Sequence, residues 1–374
     1  MKRILAISNH SLMLGGGEHS FLDLLSNLPD PWKVLVVLPG EGELATRLEK
    51  NGVKTQVIPL PSIRPWYALN ILSILGAYLN VCRRYRPALI YANGPRAALY
   101  GGIVGRILKI PVIWHCRIAD TDIYLDFLLH RLSHCIIANS RATANRFRDR
   151  SPSKVKVIYN GIDIGWLRDN SVRKPAIVSQ AWKVILVVAR VSRWKRHDLI
   201  LEAFERVASL DSSLHLVCLG SRDTLDPTWW RHLQERSRRS VYLNRIHWVG
   251  HVQDVRPWYN AAYVLVLASD NEPFGRVLVE AMACGLSVVA TRSGGIPEIV
   301  RHYQDGILVT PGNVDEFASA ISEISNNDPL RERLSRSAKK RAEDFSLELH
   351  VARMISVFED TIKDSNSHFH VFFK

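Results

Sequence analysis

The sequence predicts an α/β protein made of two doubly wound, Rossmann-like domains. Three observations carry this. Short apolar runs of strand length alternate with helix-period segments along most of the 374 residues, the pattern of a parallel sheet with helices on both faces. The alternation breaks at Asp169–Trp182 (DNSVRKPAIVSQAW), which has no period and contains a proline, and then restarts. Glycines stand at several junctions between strand-like and helix-like segments, where a doubly wound sheet brings backbone close to a ligand. The length suits two domains, placed at 1–168 and 183–345, with a helix at 346–363 after them.

In the first half, Ile4–Ile7 reads as the first strand. Gly15-Gly16-Gly17-Glu18 then opens a helix whose apolar positions are Phe21, Leu22, Leu24 and Leu25. This loop is either a tight turn or a place where a phosphate or sugar approaches the backbone. It is not the dinucleotide fingerprint, because Ser20 stands where G-x-G-x-x-G needs its last glycine. Further strands are predicted at Val34–Leu38, Thr55–Ile58, Leu89–Ala92, Val112–Trp114, Cys135–Ala138 and Val155–Ile158, and helices at Glu43–Asn51, Leu69–Arg84 and Ala97–Leu108. His115 falls just past a strand end, where a lone histidine is more often structural than functional. Asn160-Gly161 reads as a turn, since Asn-Gly favours positive φ.

After the linker, Val184–Ala189 is a buried strand, followed by Arg190 and Lys195 in A-R-V-S-R-W-K-R-H. An arginine fork and a lysine point charge can share a diphosphate; alone, the stretch also reads as a solvated basic loop. Leu214–Leu219 ends at Gly220, and Ile246–Val249 runs into Gly250-His251-Val252. Asp305–Val309 is the last predicted strand. Asn313-Val314-Asp315-Glu316 resembles a capping box opening a helix through Ile324, and Leu347–Ile362 is an amphipathic helix.

The richest stretch is Ser269–Val300, SDNEPFGRVLVEAMACGLSVVATRSGGIPEIV. A strand, Tyr263–Ala268, leads into a loop, Asp270–Gly275. A helix follows at Arg276–Cys284 with Val277, Leu278, Ala281 and Met282 as its apolar side, and Gly285 stops it. Strand Ser287–Ala290 then reaches the Gly294-Gly295 turn and another helix start. Two strand ends and two helix N-termini thus meet within a short span, an arrangement that suits a phosphate. Glu272 and Glu280 stand eight residues apart; on one helix they would be offset by about 80°. With Pro273 and Gly275 between them, Glu272 is expected in the loop and Glu280 on the helix. Two glutamates at this spacing also arise by chance; within E-P-F-G-x-x-x-x-E the pattern is more specific.

This segment resembles the E-x7-E signature of retaining glycosyltransferases of the GT-B fold, family 4. The G-G-x-E-like loop near Gly16, Asn139-Ser140-Arg141, Asn160-Gly161-Ile162-Asp163 and the Arg190/Lys195 spacing resemble other landmarks of the family. The resemblance implies two domains facing a cleft, with the donor held mainly by the second and the last helix packing back on the first. It implies transfer of a hexose from a UDP-, GDP- or ADP-sugar with retention of anomeric configuration. Glu280 would then accept bonds from the ribose hydroxyls. Arg190 and Lys195 would neutralise the departing diphosphate, helped by backbone N–H groups at Phe274 and Gly275. Glu272 would position the hexose, and His115 would meet it from the first domain. Gly16, Gly17, Gly250, Val252 and Arg276 complete the implied donor set, Gly250 and Val252 lying in the segment that holds the nucleobase. One departure stands out: the family has glycine after the lysine, where this chain has Arg196.

Composition sets the remaining expectations. An apolar fraction of 47% is that of a globular protein with real cores, and the net charge of +13 points to an anionic partner. The five scattered cysteines form no C-x-x-C and read as reduced thiols of a cytoplasmic protein. MKRILAISNH has too short an apolar run for a signal peptide, and Trp66–Val81 is too interrupted to span a membrane. No Asp-x-Asp motif ends a strand, so neither metal nor cofactor is expected. The basic segment Arg231–Arg245 reads as a solvated helix face rather than a nucleic-acid surface. A non-catalytic module of the same fold, a basic nucleic-acid-binding protein and a sugar-nucleotide epimerase are the alternatives. The acceptor is expected to be a glycan or lipid-linked intermediate of envelope or extracellular polysaccharide synthesis. Trp66, Tyr67, Leu69, Ile71, Leu72, Ile74, Leu75 and Tyr78, closed by Arg83, Arg84 and Arg86, make an anionic membrane surface on the cytoplasmic side a candidate partner; an internal helix would carry the same pattern.

Overall fold

The structure, a computed structural model, describes residues 2–61, 68–149, 152–169 and 171–371. Two compact units divide it: Met1–Gly161 with Leu347–Lys374, and Ile162–Ser346.

The first unit contains β1 (Lys2–Ser8), α1 (Gly16–Ser26), β2 (Trp32–Leu38), α2 (Glu43–Lys50), β3 (Lys54–Val57), α3 (Ala68–Tyr85), β4 (Leu89–Asn93), α4 (Pro95–Leu108), β5 (Val112–Cys116), α5 (Ile123–Leu132), β6 (Cys135–Ala138), α6 (Arg141–Ala144) and β7 (Val155–Val157). Its seven strands are all parallel, in the order β3-β2-β1-β4-β5-β6-β7. Near-continuous apolar runs such as LIYAN and VIWHC are what a sheet buried on both faces requires. The order reverses between β1 and β4, whose ends Ser8 and Asn93 lie side by side.

The second unit contains α7 (Ile164–Leu167), β8 (Lys183–Val188), α8 (His197–Ala208), β9 (Leu214–Leu219), α9 (Pro227–Arg239), β10 (Ile246–Gly250), α10 (Arg256–Ala261), β11 (Ala262–Leu267), α11 (Arg276–Ala283), β12 (Ser287–Thr291), α12 (Ile296–Ile299), β13 (Ile307–Val309), α13 (Val314–Asn326) and α14 (Asp328–Arg341). Its six parallel strands run β10-β9-β8-β11-β12-β13, reversing between β8 and β11. The last helix, α15 (Leu347–Val371), belongs to the first unit. There Val351, Met354 and Phe358 join Ile4, Phe21, Leu24 and Trp32 in one core layer.

Several elements differ from the sequence reading. The division between units falls after Gly161, not after residue 168, because α7 and the stretch after it are tied to the second unit. Arg168 Nε donates to Ala283 O at 2.9 Å, and Asn260 Nδ2 to Val172 O at 3.3 Å. Asn160-Gly161 is no positive-φ turn: neither residue has positive φ, and buried Asn160 instead accepts from Ser20 Oγ at 3.1 Å. β13 starts at Ile307 because Asp305 is committed to Arg301 and Ser337. On α11 the inward residue is Val279 rather than Val277.

α3 turns its apolar face onto the core: Tyr78, Val81 and Cys82 are buried, with Ile71, Ile74, Leu75 and Leu79 packed against the same cluster. Leu72 stays 68% exposed, and Arg83 and Arg84 are also exposed. Trp66, Tyr67 and the Leu69 side chain lie outside the described residues. On α9, Trp229 is buried and Trp230 packs edge-on against Trp248, while Arg231, Arg238 and Arg239 face solvent. Among the described residues no helix is long and apolar enough to cross a membrane.

Candidate functional site

The strand ends on either side of the second sheet's reversal carry most of the expected donor residues. β8 leads into Arg190, whose nearest carboxylate, Asp223, is 3.9 Å away. A loosely held, partly exposed guanidinium remains available to an anion. Arg193–Lys195 then forms one 3-10 turn. It delivers Lys195 Nζ to Glu272 Oε2 at 2.5 Å, on the loop after β11. Both side chains are nearly buried, at 12% and 10% exposure. Lys195 also lies 4.0 Å over the Trp194 ring, and Ser269 Oγ donates to Glu272 Oε2 at 2.9 Å. Two residues assigned separate tasks by the sequence are thus one ion pair.

The loop bearing Glu272 is fixed from below. The hydroxyls of Thr291 and Ser293 each donate to Ser269 O at 2.6 Å, and Gly295 N–H donates to Glu272 O at 2.7 Å. At Gly294, φ is +51° and an added Cβ would stand 2.1 Å from Glu272 O. The Gly294-Gly295 turn is therefore a packing surface for Glu272. α12 behind it is only four residues long, too short to serve as the second phosphate-binding helix that the sequence suggested. At the first one, Gly275, at φ +98°, is the N-cap of α11 and brings no capping side chain, and Phe274 anchors the turn with its ring against Phe345.

On α11, Glu280 is held by Arg276 Nε at 2.7 Å and by the Tyr259 hydroxyl at 2.9 Å. Tyr259 is fully buried, and desolvation with Glu280 beside it pushes the phenol well above its usual range, so it stays a donor. A carboxylate with one donor on each oxygen keeps further lone pairs for sugar hydroxyls. Gly250, at φ +87°, closes β10 and accepts the Gly220 N–H at 2.8 Å; Val252 follows in the same loop.

Arg196 completes this region. The sequence left the loop path open where the family has glycine. The structure keeps the left-handed conformation, φ +52° and ψ +47°, with an arginine in it. That conformation costs a non-glycine residue about 1–2 kcal/mol. The side chain offsets it by gripping Asp198 through Nε and Nη2, each at 3.1 Å, and Asp270 through Nη1 at 3.2 Å.

The first unit requires a correction. His115 is not beyond β5 but inside it, fully buried. Burial, with Arg117 and then His350 near, holds its pKa well below the usual histidine range, so the ring is neutral. Its Nδ1 lies 2.7 Å from the Tyr91 hydroxyl and 3.2 Å from Arg117 Nη2. The residue that does follow the strand end is Arg117. Its Nε donates to Asn93 Oδ1 at 2.9 Å, Nη1 to Asn160 Oδ1, and Nη2 to the Tyr91 hydroxyl at 3.4 Å. These partners are all neutral, so the cation is oriented without being neutralised. Gly17 makes room for it: an added Cβ would stand 3.3 Å from Arg117 Cδ. Gly16 begins α1, again without a side-chain cap. Sequence reading gave no role to Arg117, Tyr259 and Ser269, and marked Arg196 only as a departure from the family pattern. Of the first three, Arg117 left a signal, a basic residue two places after the strand-end histidine. Among the described residues, no three His, Cys, Asp or Glu side chains are placed to hold a metal.

Comparison with other proteins bears on both units. The family model "Glycosyl transferases group 1" matches residues 171–341, and "Glycosyltransferase Family 4" matches residues 14–166. The chain is 26% identical to the lipopolysaccharide core biosynthesis glycosyltransferase LpsE of Rhizobium meliloti, over 86% of this chain and 88% of LpsE. It is 32% identical to the uncharacterized glycosyltransferase MJ1607 of Methanocaldococcus jannaschii, over 50% of this chain and about half the length of that protein, 49%. The crystal structure of Anabaena Alr3699/HepE in complex with UDP and glucose matches with a TM-score of 0.85 at 25% identity, covering 96% of this chain and 100% of HepE.

Proposed function

Because the chain belongs to the group 1, family 4 type glycosyltransferases of the GT-B fold, we propose that it moves a hexose from a nucleoside-diphosphate sugar to a glycan or lipid-linked acceptor with retention of configuration. The observation that carries this reading is the Lys195–Glu272 pair beside the uncapped start of α11. In this reading a cation from the loop after β8 meets a carboxylate and helix-start N–H groups after the neighbouring β11. Arg190 and Lys195 neutralise the leaving diphosphate, and the α11 N-terminus adds its partial charge. Catalysis is then mostly electrostatic stabilisation arranged in advance. Glu280, fixed by Arg276 and Tyr259, accepts the ribose hydroxyls; Glu272 faces the hexose once Lys195 turns to phosphate. Gly250 and Val252 serve the base through their backbone.

In the first unit the group that meets substrate is Arg117, with His115 holding it from behind. HepE has been solved with UDP, UDP-glucose, and UDP with glucose, which makes UDP-hexoses the first donors to test. LpsE acts in lipopolysaccharide core biosynthesis, which supports an envelope glycan as acceptor and the cytoplasmic face of a membrane as the place of reaction. The experiment is a screen of UDP-, GDP- and ADP-hexoses by thermal shift and by turnover. A donor at 100 times its dissociation constant adds about 2.7 kcal/mol. Stabilisation without turnover, with any acceptor or water, would turn the reading into that of a non-catalytic binding module.

A further inference from the structure

Arg196 holds a conformation that a side-chain-bearing residue rarely adopts, at the junction of two loops that carry the donor chemistry. Strain of this kind persists when its surroundings hold it in place, and it concentrates at functional sites. Here the surroundings are specific. The Nε/Nη2 edge of the guanidinium is locked on Asp198, in the first turn of α8. That fixes the direction of Nη1, which grips Asp270 at 3.2 Å. Asp270 opens the loop that holds Glu272 two residues later, and Arg196 directly follows Lys195. The backbone repeats the link, with Asp270 N–H donating to Trp194 O at 2.9 Å. The Lys195–Glu272 pair is therefore flanked by a side-chain bridge and a backbone bridge that join the same two loops.

We propose that Arg196 is a positioning residue for sugar transfer: its guanidinium clamps the Lys195 loop to the Glu272 loop and so sets the spacing of that pair. This rests on the donor-site reading given above. A glycine here would follow the same backbone path without strain but could not join the loops. The arginine trades local ease for a fixed distance between the phosphate-binding cation and the hexose-facing carboxylate. Its two carboxylate partners are both needed: Asp198 aims the fork and Asp270 receives it.

The test compares Arg196→Gly, Arg196→Lys, Asp270→Asn and the double variant R196G/D270N. It reads kcat and KM on a UDP-hexose, the Kd of UDP, the melting temperature, and the rate of reductive methylation of Lys195 followed by peptide mass spectrometry. In Arg196→Gly the melting temperature stays at or above that of the parent. Its kcat falls about tenfold, less than the hundredfold that a misplacement of about 1 Å can cost, while KM and the Kd of UDP move less than about twofold. Lys195 becomes faster to methylate. Asp270→Asn gives the same fall, the double variant adds nothing to it, and Arg196→Lys recovers only part. Wild-type kcat in Arg196→Gly overturns the proposal, as does a fall that follows a loss of melting temperature, or losses that multiply in the double variant. If the parent protein turns over no nucleotide sugar, the donor reading fails separately. Lys195 labelling then decides the clamp, and unchanged labelling in Arg196→Gly refutes it.

Discussion

Glu272→Gln should tighten the binding of the nucleoside diphosphate while lowering turnover. In the unliganded protein Lys195 is already engaged, at 2.5 Å from Glu272. A diphosphate that recruits Lys195 must take it from that carboxylate. A charge-assisted hydrogen bond contributes about 1.5–3 kcal/mol. Both side chains keep roughly a tenth of their surface exposed, so the lower end of that range applies. With about 1.4 kcal/mol per factor of ten, removing the competing carboxylate should lower the Kd of UDP about tenfold. Loss of the negative charge near the phosphates works in the same direction. Turnover should fall on the order of 10²-fold, the scale of one lost transition-state contact. The free variant should also melt lower, because Lys195 is left nearly buried without its partner, and UDP should restore much of that loss. Calorimetric titration of UDP into the parent, Glu272→Gln, Lys195→Met and the double variant measures the exchange directly. Lys195→Met should weaken binding, and the tightening should vanish in the double variant. If Glu272→Gln is folded and binds UDP no more tightly than the parent, Lys195 is not shared between carboxylate and phosphate.

Arg117→Gln should cut transfer at least about tenfold and leave the Kd of UDP unchanged, with Arg117→Lys a poor rescue because a lysine cannot reach Asn93, Asn160 and Tyr91 together; equal losses in transfer and UDP affinity would place Arg117 at the donor phosphates instead. His197 is fully buried and its pKa is pushed down to about 4 by burial and then by Lys195. The unfolded chain binds that proton near pH 6.5 and the folded one does not, so stability is full above pH 6.5 and declines as the pH falls toward 4. The loss is about 1.4 kcal/mol by pH 5.5. His115, depressed for the same reason, adds to it with the same sign. Urea unfolding of the parent and of His197→Leu at pH 7, 5.5 and 4 should show a shallower dependence in the variant, and parallel curves would mean that His197 already carries no penalty for protonation.

The fold was legible because both sheets are buried on two faces, which forces long apolar runs into the strands and periodic patterns into the helices between them. Glu272 and Glu280 were legible for a related reason: Pro273 and Gly275 separate loop from helix, and the structure places the two carboxylates on those two elements. What escaped was everything decided by a side chain's path rather than its position. His115 and Arg117 are two residues apart, and a strand end two residues later than predicted buries the histidine ring and leaves the half-buried arginine as the residue that follows the strand. Arg196 could not be read as left-handed, because its conformation is held by Asp198 and by Asp270, the latter 74 residues away in sequence. Asn160-Gly161 has the composition of a turn, yet Asn160 is recruited by Ser20, 140 residues away. The linker lacks a period because it lies along the second unit and makes no element of its own.

The fate of α3 bears on the acceptor. An apolar helix with a basic end can lie in a headgroup layer only if its apolar side is free. Here Ile71, Ile74, Leu75 and Tyr78 are spent on the core of the first unit, which leaves Leu72 as the large apolar side chain facing outward along the described part of the helix. A single leucine inserts too little surface to anchor a protein, at about 25 cal/mol per Å² buried. Attachment to an anionic membrane would then rest on Arg83, Arg84 and Arg86, each contributing about 1 kcal/mol near the surface. Three such contributions give binding that is weak and strongly salt-dependent. Flotation with phosphatidylserine-containing vesicles should therefore show association at low salt that is gone at physiological ionic strength, and that is lost at low salt when the three arginines become Gln. Retention at high salt would mean an apolar anchor elsewhere in the chain. No flotation at low salt would remove the membrane from the reaction and favour a water-soluble acceptor.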